Sequence, residues 1–72
     1  MNNLTSVETG EQIRVKGIDN NSSVKKRLLD MGITPGVTLK VTGKAPLGDP
    51  IEVIVRGYKL TLRKDEASAI FI

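Results

Sequence analysis

The side chains in this 72-residue chain that could do chemistry are few and scattered. The only adjacent carboxylates are Asp65 and Glu66; Glu8, Glu11, Asp19, Asp30, Asp49 and Glu52 stand alone. Histidine and cysteine are absent. General acid–base work near neutral pH therefore loses its commonest side chain. Neither a thiolate nucleophile nor a Ser-His-Asp arrangement can be built. Any metal site would be all oxygen, suited to hard cations rather than to tight transition-metal binding. The glycines Gly43, Gly48 and Gly57 do not form a phosphate-cradling loop before a helix. The carboxylates read as surface charge, so no catalytic residue, no metal-ligand set and no cofactor is expected. A binding module is the expectation, not an enzyme.

Binding chemistry is more visible. The net charge is +3, which favours an acidic partner surface, an anionic leaflet or nucleic acid, beside its plain role in solubility. Lys40, Lys44 and Lys59 fall on strand positions and could touch phosphates, or simply be solvated. The only aromatic side chains are Tyr58 and Phe71, with one of them expected in the core. That is too few for a single-stranded nucleic-acid platform or a proline-rich-peptide groove.

Two leucines stand out. Leu29 sits about 100° around a helix from Leu28, toward Lys25 and Lys26 and off the core stripe. It is either a contact point or tucked under a loop. Leu47 occupies a loop, Pro46-Leu47-Gly48-Asp49-Pro50, where a turn needs no apolar residue. It either meets a partner or folds back as a plug on the barrel end. The two prolines restrict the loop, so binding through it would lose little ordering entropy.

These residues need a scaffold, and the stretch from Arg27 to Gly36 organises it. Asn21 or Ser22 is the expected N-cap. Val24, Leu28 and Met31 recur at helical spacing and share a face. Lys25, Lys26 and Arg27 lie early and Asp30 late, against the helix dipole. Arg27–Asp30 and Lys26–Asp30 pairs are expected to offset part of that. Gly32 closes the helix in the left-handed conformation, with Ile33 folding back onto Leu28. Pro35 and Gly36 supply the central residues of a type II turn. The hydrophobic period then drops from helical to alternating at Val37, Leu39 and Val41.

Before the helix, residues 4–7 read as a short extended piece. Residues 12–18 read as one half-buried strand with Ile13 and Val15 inward. After the loop, Ile51, Val53 and Val55 have the opposite parity to Tyr58, Leu60 and Leu62. A tight hairpin at Arg56-Gly57 resolves this, with Val55 facing Tyr58. A bulge at Gly57 in one continuous strand is the alternative. Residues 63–67 suit a single helical turn, and residues 69–72 a closing strand paired inside the fold.

The expected fold is thus mainly β, one domain over residues 1–72. It is a small SH3-like barrel of about five to six strands with one short helix in the first long loop. An OB-like barrel, whose helix usually follows the third strand, is the structural alternative. No signal peptide or membrane span is visible, so a cytoplasmic protein is expected.

Arg27-Leu28-x-Asp30-Met31-Gly32-Ile33-x-Pro35-Gly36, the Ala45-Pro46-Leu47-Gly48-Asp49-Pro50 loop, Val55-Arg56-Gly57-Tyr58 and Leu62-Arg63-Lys64-Asp65-Glu66-Ala67 together closely resemble the FeoA family. Met31 stands where leucine is usual and Asp30 where glutamate is usual. The resemblance implies an SH3-like accessory protein of bacterial ferrous-iron uptake. Its implied partner is FeoB, a membrane transporter with a GTP-binding domain, met at the inner face of the membrane. It also brings the family's association with transition-metal ions, although no iron ligands are visible here. On this reading Leu29, Pro46, Leu47, Gly48, Asp49, Lys25 and Lys26 are the candidate partner-binding residues. Gly32, Pro35, Gly36 and Gly57 are structural. Weak self-association is left open, and a nucleic-acid-binding small barrel is the competing function.

Overall fold

The computed structural model describes residues 2–20 and 23–72. In chain order they form a 3-10 turn (Leu4–Ser6), β1 (Gln12–Arg14), β2 (Gly17–Ile18), α1 (Lys25–Asp30), β3 (Thr38–Lys44), β4 (Ile51–Val55), β5 (Tyr58–Leu62), α2 (Lys64–Ser68) and β6 (Ile70–Phe71). The strands make two sheets, one ordered β1-β3-β4-β5 and one pairing β2 with β6, all antiparallel. This is the expected small SH3-like β fold, with α1 in the insert between β2 and β3. Its hydrogen-bonded strands form two sheets rather than one closed ring.

The corner after α1 folds as its residues dictate. Gly32 has φ +89, its N–H donates to the Leu29 carbonyl, and the Ile33 N–H donates back to Leu28 at 3.0 Å. That pair of bonds is a Schellman motif, and Ile33 and Leu28 are both fully buried. Gly36 follows at φ +92, and the Val37 N–H closes the turn on the Thr34 carbonyl. Val24 precedes α1 without a side-chain cap bond; the expected caps at Asn21 and Ser22 lie outside the described residues. Arg56 and Gly57 both take positive φ, the requirement of a type I′ hairpin turn, and Val55 pairs with Tyr58. The hairpin, not a bulge at Gly57, resolves the parity change.

Several expectations need correction. Residues 4–6 coil rather than extend, because the Asn3 side chain accepts from the Thr5 N–H at 2.9 Å and starts a 3-10 turn. That turn buries Leu4 completely. Residues 12–18 are not one strand. The Val15 N–H donates to the Val37 carbonyl and the Val15 carbonyl accepts from the Gly36 N–H, whereas the Lys16 N–H donates to the Phe71 carbonyl. The chain changes partner between Val15 and Lys16 and so passes from one sheet to the other. Neither aromatic side chain is fully buried: Phe71 is half-buried and Tyr58 is exposed.

The register also shifts between Val41 and Gly43, a bulge on β3. Lys44 then pairs with Ile51, whose side chain points into the core. This turns Lys44 off the face it was expected to share with Lys40 and Lys59, and its Nζ donates instead to the Thr5 carbonyl at 3.0 Å. The core between the sheets is aliphatic: Leu39, Val41, Ile51, Val53, Val55 and Leu62 from the large sheet meet Val15, Ile18, Ile70 and Leu28.

Candidate partner-binding surface

The loop between β3 and β4 is a rigid turn with an apolar tip. Its ends are tied by the Ala45 N–H donating to the Pro50 carbonyl at 3.1 Å. The Gly48 N–H donates to the Ala45 carbonyl at 2.7 Å, which places Pro46 and Leu47 at the two central positions of a β-turn. Gly48 leaves that turn at φ +77. The Leu47 side chain is 88% exposed, so it does not plug the barrel end. An aliphatic side chain held in water gains contact area from a partner at little conformational expense.

Asp49 has a structural role that the sequence reading assigned to the partner surface. Its Oδ1 accepts from the Lys64 N–H, the first amide of α2, at 3.2 Å. The loop is thereby pinned to the start of α2. Glu66 secures the same helix from inside. Its Oε1 accepts from the Arg63 N–H at 2.9 Å. This is half of a capping box, since arginine has no acceptor to complete the exchange. Its Oε2 lies 3.1 Å from Arg27 Nε, with the carboxylate almost wholly buried and the guanidinium two-thirds exposed. Oε2 has no well-directed hydrogen bond, so the ion pair is its compensation. Arg27 thus ties α1 to α2. The expected helix pairs Arg27–Asp30 and Lys26–Asp30 do not form, and Arg27 instead meets a buried carboxylate across the fold.

Arg27, Asp49, Pro50, Thr61, Arg63 and Glu66 line an open groove of about 400 Å³ between α1, the loop and α2. The loop and α1 are therefore neighbours. On α1, Leu29 is 37% exposed, while Lys25 donates from Nζ to Asn20 Oδ1 and Lys26 is exposed. Of the residues singled out from sequence, Leu47, Pro46 and Leu29 present surface and Lys26 presents charge. Gly48 and Asp49 shape the turn and fasten it. Gly32, Gly36 and Gly57 act in the backbone as expected, and Pro35 precedes Gly36 in the turn after α1. The groove residues Glu66, Arg63 and Thr61 were missed. Their roles depend on tertiary partners, and only the position of Glu66 three residues after Arg63 offered a local signal.

The carboxylates do not converge: among the described residues, no three of them could jointly hold a metal ion. Among those residues, too, no helix is long and apolar enough to cross a membrane.

A family model for the FeoA domain matches residues 2–72. The chain belongs to the FeoA family. FeoA proteins are small accessory proteins of ferrous-iron transport. A fusion of Fe(2+) transport protein A with the Fe(2+) transporter FeoB, from Porphyromonas gingivalis, is 33% identical over 67 residues. The match covers 93% of this chain and only 8% of the fusion protein. The solution structure of an FeoA-like protein from Clostridium acetobutylicum is 46% identical, with a TM-score of 0.88 over 94% of this chain and 79% of that one. FeoA of Stenotrophomonas maltophilia, crystallised with zinc and described as a procaryotic SH3 domain protein, superposes with a TM-score of 0.84. It is 23% identical, with 97% of this chain and 87% of that one covered, and it supports the SH3-like fold alone.

Proposed function

We propose that this FeoA-family protein is a non-catalytic module that docks on the cytoplasmic side of an FeoB-like membrane transporter and modulates ferrous-iron uptake. The observation that carries the reading is Leu47, 88% exposed at the apex of a turn fixed by Pro46, by the Gly48–Ala45 hydrogen bond and by the Asp49 anchor on α2. Leu29 on α1 is a second exposed apolar side chain offered to the partner. Lys25 and Lys26 steer the approach to an acidic partner surface. The Porphyromonas gingivalis fusion carries both activities' names on one chain, which supports physical association of the two parts.

Two experiments together test this. Cytoplasmic membranes solubilised in detergent are passed over the immobilised protein, and retained proteins are identified. Retention of an FeoB-like transporter is expected; its absence would count against the reading. A salt titration against nonspecific DNA then addresses the competing nucleic-acid function. Tight binding with a steep salt slope would favour that function instead.

A further inference from the structure

The outer face of the four-stranded sheet carries the whole net charge of the chain. Gln12 pairs with Lys40, Lys40 with Ile54, and Ile54 with Lys59, so one row crosses all four strands. Arg14 lies diagonally beside Lys40 on β1, and Arg56 stands at the tip of the β4–β5 hairpin. All four cations are exposed. The one carboxylate on this face is Glu52, half-exposed, held by Thr42 Oγ1 at 2.9 Å and 3.8 Å from Lys59 Nζ. Of 11 basic and 8 acidic residues, the other seven of each sign lie elsewhere and cancel. The net +3 is therefore not spread over the surface but concentrated on one face.

Lys40 and Lys59 stand on strands two apart, about 10 Å, which is close to a Debye length at physiological salt. Their fields therefore add. The face is a sheet surface with Ile54 at its centre, and its residues come from strands and a hairpin turn, with no helix to enter a duplex groove. It also has no aromatic side chain to stack bases: Tyr58 pairs with Val55 on the core-facing set, and Phe71 lies in β6. A broad array of cations without base-reading or stacking groups matches a broad array of phosphates.

We propose that this face, Arg14, Lys40, Arg56 and Lys59, rests on the anionic phospholipid headgroups of a membrane. The contact is electrostatic, needs no inserted apolar residue, and leaves the Leu47 turn on a different part of the molecule free. It would hold and orient the protein at the membrane independently of any transporter contact.

The test is cosedimentation of the purified protein with vesicles of phosphatidylglycerol in phosphatidylcholine, and with phosphatidylcholine alone. Binding to the anionic vesicles only is expected, declining as salt rises. Each cation removed should weaken partitioning about fivefold, so K40Q/K59Q should lose about 25-fold. The double variant K26Q/K64Q has the same net charge but keeps the face, and should lose much less. Equal losses in the two variants, no binding to anionic vesicles at low salt, or preferential binding to duplex DNA at matched salt would each overturn the proposal. The vesicles contain no protein, so these outcomes are independent of whether the detergent-solubilised transporter is retained.

Discussion

A single carboxylate does two tasks in this fold. Glu66 caps α2 through Oε1 and receives Arg27 through Oε2, although it is almost fully buried. Removing it, as Glu66→Ala, takes away the cap and the tie between α1 and α2, while the exposed Arg27 guanidinium stays solvated. The expected loss is about 1–3 kcal/mol in a urea melt. Arg27→Ala should cost about 1–3 kcal/mol as well, because it leaves Glu66 Oε2 buried without a partner, even though the guanidinium itself is largely solvated. Glu66 was not legible in the sequence as more than a charge in a helical turn, since its partner lies 39 residues away on α1. Gly32 was legible, because the demand on it is local. An added Cβ at Gly32 would meet open space, so Gly32→Val tests conformation alone. The β-branched side chain at positive φ should lower stability by about 1–3 kcal/mol. An unchanged urea midpoint would mean that the left-handed cap is not strained by substitution.

At the scale of elements, the features read correctly are those whose sequence fixes a dihedral or a period. The helix stop, the turn at Pro35 and Gly36, the β4–β5 hairpin and the alternation along β3 are of this kind. The features misread are set by partners. The chain at residues 12–18 has one strand's alternation, but Val15 bonds to the large sheet and Lys16 to β6. Nothing local marks that exchange. The bulge on β3 likewise has only Gly43 as a signal, and it moved Lys44 to another face. The hairpin offers a direct check on its own geometry. Arg56 sits at φ +50, where a non-glycine side chain is disfavoured and asparagine is tolerated better. Arg56→Asn should raise the melting temperature by about 2–6 °C if the turn is type I′. A fall would mean that Arg56 contributes a contact that outweighs the backbone preference.

At the scale of the whole molecule, two antiparallel sheets enclose the core. The aliphatic core and paired carboxyl-terminal strand leave no convergent group of ligands among the described residues. Anaerobic calorimetry with Fe²⁺ should therefore reveal no stoichiometric micromolar site; finding one would require ligands that these residues do not supply together. The restriction of the turn was legible in sequence, because two prolines and a glycine announce it; whether Leu47 faces water or plugs the end of the fold was not, and only the structure shows it exposed. Nor was the groove behind the turn legible, since it forms only when α1, the loop and α2 meet. The central claim is that the Leu47 turn is a docking surface for an FeoB-like transporter rather than a packing element. Its most direct test is equilibrium binding of the wild-type chain and Leu47→Ser to the purified transporter, with the melting temperature of both recorded. With Leu47 88% exposed, the variant should melt within a degree or two of wild type and bind at least tenfold more weakly. A variant that melts normally and binds as tightly as wild type would remove Leu47 from the docking surface and contradict the account.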